Sequence, residues 1–221
     1  MRKIKCYLIR HGITEGNKSL NFNGCRTDEP LSEEGRARLI SIDGVPGGAM
    51  LFTSPMKRAV ETASIMLPGK KPEIIEELKE MDFGIFEGKN HKELDGDPEY
   101  QAWLDSGGRS GIPGGDSLDG FMKRTGAGFR EAMKKAAAEG AETVYVVAHG
   151  GTIMSLMHFL THEDYFNFNL PNGAGYEIDL EVDDEGNILA AISYDRFCGG
   201  LRNGSGDWRP PQYTPSDKVD R

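Results

Sequence analysis

Thr143-Val144-Tyr145-Val146-Val147-Ala148-His149-Gly150-Gly151 is the stretch on which the fold turns. Its first six residues form the strongest strand signal in the chain, rich in β-branched side chains. His149-Gly150-Gly151 then opens a helix expected to run to about Leu160. Upstream, Lys5 to Ile9 reads as a buried strand ending in Arg10-His11-Gly12, and Met50 to Thr53 as a short one. Ser54-Pro55 is expected to cap and start a helix reaching Met66, with Pro68-Gly69 beyond it. Ser32 to Asp43 reads as a serine-capped helix and Ile74 to Leu78 as a strand. From Asp116 to Glu139 the apolar residues, Leu118, Phe121, Met122, Phe129, Ala132, Met133 and Ala136 among them, recur at helical spacing, weakened by Gly126 and Gly128. Two late strands, Gly175 to Val182 and Ile188 to Tyr194, flank the turn Asp183-Asp184-Glu185-Gly186-Asn187. Alternating strands and helices predict an α/β fold: a three-layer α/β/α sandwich with a largely parallel central sheet. Such sheets bind ligands outside the carboxyl ends of their strands, where His11 and His149 both fall.

The 221 residues suit one domain, expected over 1–195, with an irregular extension rich in glycine, proline and charge over 196–221. With 38% hydrophobic and 28% charged residues the chain reads as soluble and globular. It has no apolar run near the roughly 20 residues a membrane span needs. The basic and then apolar N-terminus is too short for a secretion signal and is interrupted by Arg10-His11, so a first strand is the better reading. Cys6, Cys25 and Cys198 are odd in number and widely spaced, which favours a reducing, cytoplasmic setting. A formal net charge of −9 argues against nucleic acid or an anionic membrane as partner. An anionic substrate would therefore need positive charge concentrated locally.

Arg10-His11-Gly12 supplies such a place. A phosphoryl-accepting imidazole must be neutral with one nitrogen open, and an adjacent guanidinium both disfavours the imidazolium and grips phosphate oxygens. Gly12 removes bulk where backbone approaches a phosphate, and Asn17 can add a neutral donor. Arg58 falls in the first turn of its helix, where amides and dipole favour an anion. His149 stands beside the amides of Gly150 and Gly151 at a helix start, placed to stabilise transferring phosphoryl oxygens. Each has an ordinary alternative: a chance tripeptide at a strand end, or a solvated helix arginine.

Together these motifs resemble the histidine phosphatase superfamily, which includes the cofactor-dependent phosphoglycerate mutases. The matching residues are Arg10-His11-Gly12 with Thr14 and Asn17, Asn23-Gly24, and Asp28 to Gly35. Ser54-Pro55-Met56-Lys57-Arg58-Ala59 with Thr62-Ala63, then Leu78 to Gly84 with Glu87-Gly88, continue the pattern. Pro113 to Ser117 and His149-Gly150-Gly151 close it, in family order over roughly residues 4 to 160. The resemblance implies a phosphoglycerate mutase-like fold, with His11 as nucleophile and Arg10, Arg58 and His149 as the phosphate pocket. It implies Glu80 as proton donor, with Asp82 and Glu87 on neighbouring motif positions. Asn17, Asn23, Gly24 and Gly150 are implied as substrate-binding.

The implied activity is hydrolysis of small phosphorylated metabolites without a cofactor. His149-Gly150-Gly151-Thr152 and the short span from Glu80 to His149 resemble the branch of broad-specificity and α-ribazole-phosphate phosphatases. Mutase activity is the second reading, and a non-catalytic interaction module a third. A metal site has no HExxH or paired-cysteine spacing behind it, and the arginines would repel a cation. A homodimer is compatible with the sequence, which does not choose an oligomeric state. Of the remaining residues, His91, His158 and His162 read as surface or helix-end histidines. Trp103 with Tyr100 and Leu104 reads as a cap or a small packed helix. Ser106 to Gly111 is expected to be a lid or a connector in which Arg109 meets a second substrate anion, and Trp208 and Tyr213 are expected to order the tail.

Overall fold

The computed structural model describes residues 1–198 and Leu201. The chain runs from β1 (Arg2–Arg10) through two short helices, α1 (Glu15–Lys18) and α2 (Glu33–Arg38), to β2 (Met50–Thr53) and α3 (Lys57–Met66). A two-residue β3 (Glu73–Ile74) precedes α4 (Pro98–Asp105) and α5 (Leu118–Ala138). Then come β4 (Thr143–Ala148), α6 (Gly150–Thr161), β5 (Gly175–Val182) and β6 (Ile188–Phe197). The six strands lie in the order β3-β2-β4-β1-β5-β6. The first four are mutually parallel, and β5 runs antiparallel to both β1 and β6.

β4 shows why the sheet is covered on both sides. Val144 and Val146 face a core shared with Phe129, Ala132 and Met133 of α5 and Ile153, Leu156 and Met157 of α6. Tyr145 and Val147, pointing the other way along the same strand, pack with Ala59, Ala63 and Met66 of α3. Helices therefore lie on both faces, as expected for a mostly parallel sheet. The two glycines that weaken the α5 signal have different surroundings. A β-carbon on Gly128 would sit 2.7 Å from Glu77 Cβ and 2.9 Å from Ile75 Cγ2, so this glycine lets the helix close on the segment before Glu80. Gly128→Ala gains about 1 kcal/mol of helix propensity, but overpacking costs about 1–3 kcal/mol. A net loss of stability is the expected outcome, read as a lower urea midpoint; an unchanged or raised midpoint would contradict the close packing.

Several element boundaries differ from the sequence reading. α2 stops at Arg38, because Leu39 turns extended and buries its side chain beside Leu31. Ser54 does not cap α3: its N–H still bonds the Val147 carbonyl, prolonging the sheet, and Met56 holds the cap position without a side-chain bond. Asp28 instead accepts from the Lys57 N–H across the loop. The strand expected over Ile74 to Leu78 is only Glu73–Ile74, followed by a 3-10 turn at Glu76–Leu78. β6 extends to Phe197, taking in the first two residues assigned to the tail, and Leu201 returns to bridge Leu39. Trp208 and Tyr213 lie outside the described residues.

Candidate active site

β1 and β4 are neighbours in register, Arg10 opposite Ala148, so the turns that leave them meet above the sheet edge. The His11 and His149 rings lie there with centroids 5.2 Å apart. His11 Nδ1 is 2.7 Å from the Gly12 carbonyl. A carbonyl only accepts, so Nδ1 carries the proton and Nε2 keeps its lone pair. The Gly12 N–H donates to Thr62 Oγ1, and the Asn172 amide donates to the His11 and Gly12 carbonyls at 3.1 and 3.3 Å. The same amide donates to Asn17 Oδ1 at 3.0 Å, and the Thr14 N–H donates there too. Asn17 therefore has its NH2 as the remaining donor.

The two arginines are held differently. Arg58 is 1% exposed, and its Nε–H donates to His149 Nδ1 at 3.2 Å. Its Nη1 donates to the Thr27 carbonyl at 2.6 Å, and Nη2 to the carbonyls of Asn23 and Gly24 at 3.4 and 3.0 Å. Four of the five N–H groups of a guanidinium are thereby committed to the protein. Arg10 donates through Nη1 to the Leu170 carbonyl, while its buried Nε has no partner among the described residues. A buried donor left unpaired costs about 1–3 kcal/mol, which an acceptor such as a phosphate oxygen would relieve. Gly150 stands against that guanidinium: a β-carbon there would lie 3.1 Å from Arg10 Cζ.

Because Arg58 Nε–H must donate, His149 Nδ1 must accept. The neutral ring then carries its proton on Nε2, which donates to Ser54 Oγ at 2.8 Å. Both nitrogens of His149 are engaged by protein, so the ring fixes Arg58 and Ser54 rather than offering a spare N–H of its own. Burial, then the positive charge of Arg58, holds His11 and His149 well below the ordinary imidazole range. The chain carries a formal net charge of −9, yet two guanidinia converge on His11 here.

Glu80 completes the group. Its carboxylate accepts from the Met81 N–H and the Gly151 N–H, each at 2.9 Å. Burial pushes its carboxyl above the usual range, although those two amides, Arg58 and Arg10 pull it back. The neighbouring acids have other tasks. Asp82 pairs with Arg26 at 2.8 Å. Glu87 accepts from the N–H groups of Gly24, Arg26 and Thr27, fixing the loop whose carbonyls hold Arg58. Asn23 and Gly24 thus meet Arg58 through their backbone, and the Asn23 amide donates to Glu29.

Four contributors were given no role in the sequence reading of the site: Ser54 and Thr62, which appeared there only within the family motif, and Asn172 and Arg124, which did not appear. Arg124 donates to the carbonyls of Glu77, Lys79 and Glu80 and is paired with Asp116 at 3.1 Å. Its signal was indirect, in Asp116 of the Pro113 to Ser117 motif. Arg109 lies elsewhere than expected. Its guanidinium bonds Asp164 at 2.6 Å and covers the Phe166 ring at 5.2 Å, so an internal carboxylate occupies it. Trp103 and Tyr100 of α4 pack with Phe22 and Phe86. His91 is exposed, His158 bonds the Glu163 carbonyl, and His162 ends α6 in a left-handed conformation.

The profile of the histidine phosphatase superfamily (branch 1) matches residues 6–192. The chain belongs to this superfamily. The "Putative phosphoserine phosphatase 2" of Hydrogenobacter thermophilus is 30% identical over 193 residues, covering 80% of this chain and 90% of that protein. A 2,3-bisphosphoglycerate-dependent phosphoglycerate mutase of Parvibaculum lavamentivorans is 32% identical over 199 residues, covering 82% and 92%. Among solved structures, the α-ribazole phosphatase of Shigella flexneri superposes with a TM-score of 0.69 at 23% identity, over 90% of this chain and 95% of that one. The phosphoglycerate mutase of Bacillus anthracis gives 0.63 at 23% identity, over 86% and 92%. Both share the α/β architecture described above. Among the described residues no helix is long and apolar enough to cross a membrane.

The buried imidazoles of this histidine phosphatase make its stability pH-dependent. Their folded proton affinity is below that of the unfolded chain, so the unfolded chain protonates first. Their contribution is complete above about pH 6.5 and is lost as the pH falls below it, by up to about 1.4 kcal/mol per unit for each ring. Glu80 acts oppositely: its raised affinity makes its contribution grow as the pH falls through its titration. The urea midpoint is therefore expected to drop between about pH 7 and about pH 5.5, and to drop less in His11→Gln. An equal drop in the two proteins would contradict a neutral, buried His11.

Proposed function

We propose that this member of the superfamily hydrolyses phosphate monoesters of small metabolites through a phosphohistidine on His11, in the cytoplasm and without a cofactor. The observation that carries the proposal is the bond from His11 Nδ1 to the Gly12 carbonyl, which leaves Nε2 unprotonated beside two guanidinia. In the first half-reaction Nε2 attacks phosphorus, the bond from phosphorus to the ester oxygen breaks, and Glu80 gives its proton to the departing alkoxide. In the second, a water oxygen attacks phosphorus, the bond to Nε2 breaks, and the Glu80 carboxylate takes the water's proton. Arg10 grips the phosphoryl oxygens through its unpaired donors, Arg58 supplies fixed positive charge, and the Asn17 NH2 and Gly150 N–H add neutral donors.

The His149-Gly150-Gly151-Thr152 sequence and the relatives named as phosphatases favour water as the acceptor. Transfer to a second hydroxyl, as in a mutase, is the alternative, and the Parvibaculum relative supports it. The test is to mix the protein with p-nitrophenyl phosphate, quench in alkali and map phosphorylation by mass spectrometry. Phosphate on His11 is the expected result, and phosphate on another residue or none would overturn the proposal. Efficient interconversion of phosphoglycerate isomers with a bisphosphoglycerate primer would move the assignment to mutase.

A further inference from the structure

Tyr165 has no role in the chemistry so far. It opens the 3-10 helix Tyr165–Phe168 and is 6% exposed, packed in a cluster with Met81, Phe121 and Leu118. Its hydroxyl has no hydrogen-bond partner among the described residues, and it reaches the niche opened by Gly151. A β-carbon on Gly151 would lie 2.5 Å from Glu80 Oε1 and 3.1 Å from the Tyr165 hydroxyl, so phenol and carboxyl border the same small space. Among the described residues, the donors on the Glu80 carboxylate are the amides of Met81 and Gly151, one on each oxygen. A carboxylate offers about four acceptor sites, which leaves room for one more donor.

Tyr165 is braced from both sides. Asp164 caps its helix through the Phe166 N–H at 3.0 Å, and Arg109 holds the other oxygen of Asp164 at 2.6 Å. The Arg109 guanidinium covers the Phe166 ring, which meets the Tyr165 ring edge-on with centroids 5.0 Å apart. Gly108 closes on Phe166 from the same loop: a β-carbon there would lie 3.3 Å from Phe166 Cζ. The loop expected to read a second substrate anion thus fixes the segment that carries the phenol.

We propose that the Tyr165 hydroxyl is a positioning group for Glu80, donating a hydrogen bond to the carboxylate as it forms and so aiding proton delivery to the leaving oxygen. A neutral donor suits the place, because it stabilises the new negative charge without adding a cation to a pocket already holding Arg10 and Arg58. The inference rests on the reading of Glu80 as proton donor, and the experiment separates the two. kcat/KM is measured for phenyl phosphate and p-nitrophenyl phosphate with wild type, Tyr165→Phe and Glu80→Gln. This constant stops at release of the alcohol, and p-nitrophenolate leaves with far less need of a proton than phenolate.

Tyr165→Phe is expected to lose about tenfold on phenyl phosphate and less than about twofold on p-nitrophenyl phosphate, the size expected of one hydrogen bond to a charged group. Glu80→Gln is expected to show the same selectivity with a larger loss. Equal losses on both substrates in Tyr165→Phe, or none on either, would overturn the role of Tyr165 while leaving that of Glu80 intact. Equal losses on both substrates in Glu80→Gln would instead remove Glu80 as proton donor.

Discussion

His11→Ala is expected to lower kcat for hydrolysis of p-nitrophenyl phosphate by about 10⁴-fold or more, the scale on which loss of a covalent nucleophile is felt. The loss should sit in kcat. On the proposed mechanism the imidazole would contribute the attacking lone pair, whereas phosphate affinity would come from Arg10, Arg58 and amides that the substitution does not touch. Inorganic phosphate should therefore inhibit residual activity or quench binding with an affinity within a few-fold of wild type. The fold should survive, because the ring's one hydrogen bond is to the carbonyl of the next residue and the turn is held by Asn172 and Thr62. Circular dichroism checks that point. Equal turnover by His11→Ala and wild type would end the nucleophile assignment, and a collapse of phosphate binding with the fold intact would give the ring a binding role.

The parts of this site that sequence made legible are those fixed by the backbone near them. His11 and His149 each follow a strand directly, so a strand assignment alone puts them at the same sheet edge. Glu80 was placed by motif position rather than by periodicity. The strand expected just before it, Ile74 to Leu78, is largely a 3-10 turn, and Arg124 and Thr152 take up the carbonyls of residues 77 to 80. Contacts made across long sequence separations left no local signal. Asn172 sits 161 residues from the His11 carbonyl it holds, in a segment with no strand or helix pattern. Ser54 carried a misleading signal, since Ser-Pro before an apolar run is a good helix start and its tertiary partner, His149, overrode it. Arg109 was read as a free cation because its carboxylate, Asp164, is 55 residues away. The fold, built from local patterns, was therefore more legible than the supports of the site.

Those supports make Arg58 the most consequential side chain after His11, and Arg58→Met is expected to fail in two ways. Arg58 is 1% exposed, and its guanidinium ties the carbonyls of Asn23, Gly24 and Thr27 to His149. Methionine fills much of the volume but leaves these acceptors unmatched, at about 1–3 kcal/mol for a buried group left unsatisfied. Burying the cation also costs free energy, which the substitution recovers. The loss from several acceptors is expected to outweigh that gain, because Arg58 is the donor bonded to all three carbonyls among the described residues. A net destabilisation of about 3 kcal/mol is expected, within the range for breaking one side of a buried charged network, and urea denaturation measures it. Activity should fall by about 10²–10³-fold in kcat as a preorganised charge is lost from the transition state. His149 would change as well. Without the Arg58 N–H on Nδ1 and without its field, the ring can take a proton on Nδ1, so its proton affinity should rise towards the ordinary imidazole range. A titration of the His149 ring by NMR would show this as a pKa higher than in wild type. Stability within about 1 kcal/mol of wild type, together with an unshifted His149, would mean that Arg58 reaches out to the phosphate rather than inward to the loop and the ring.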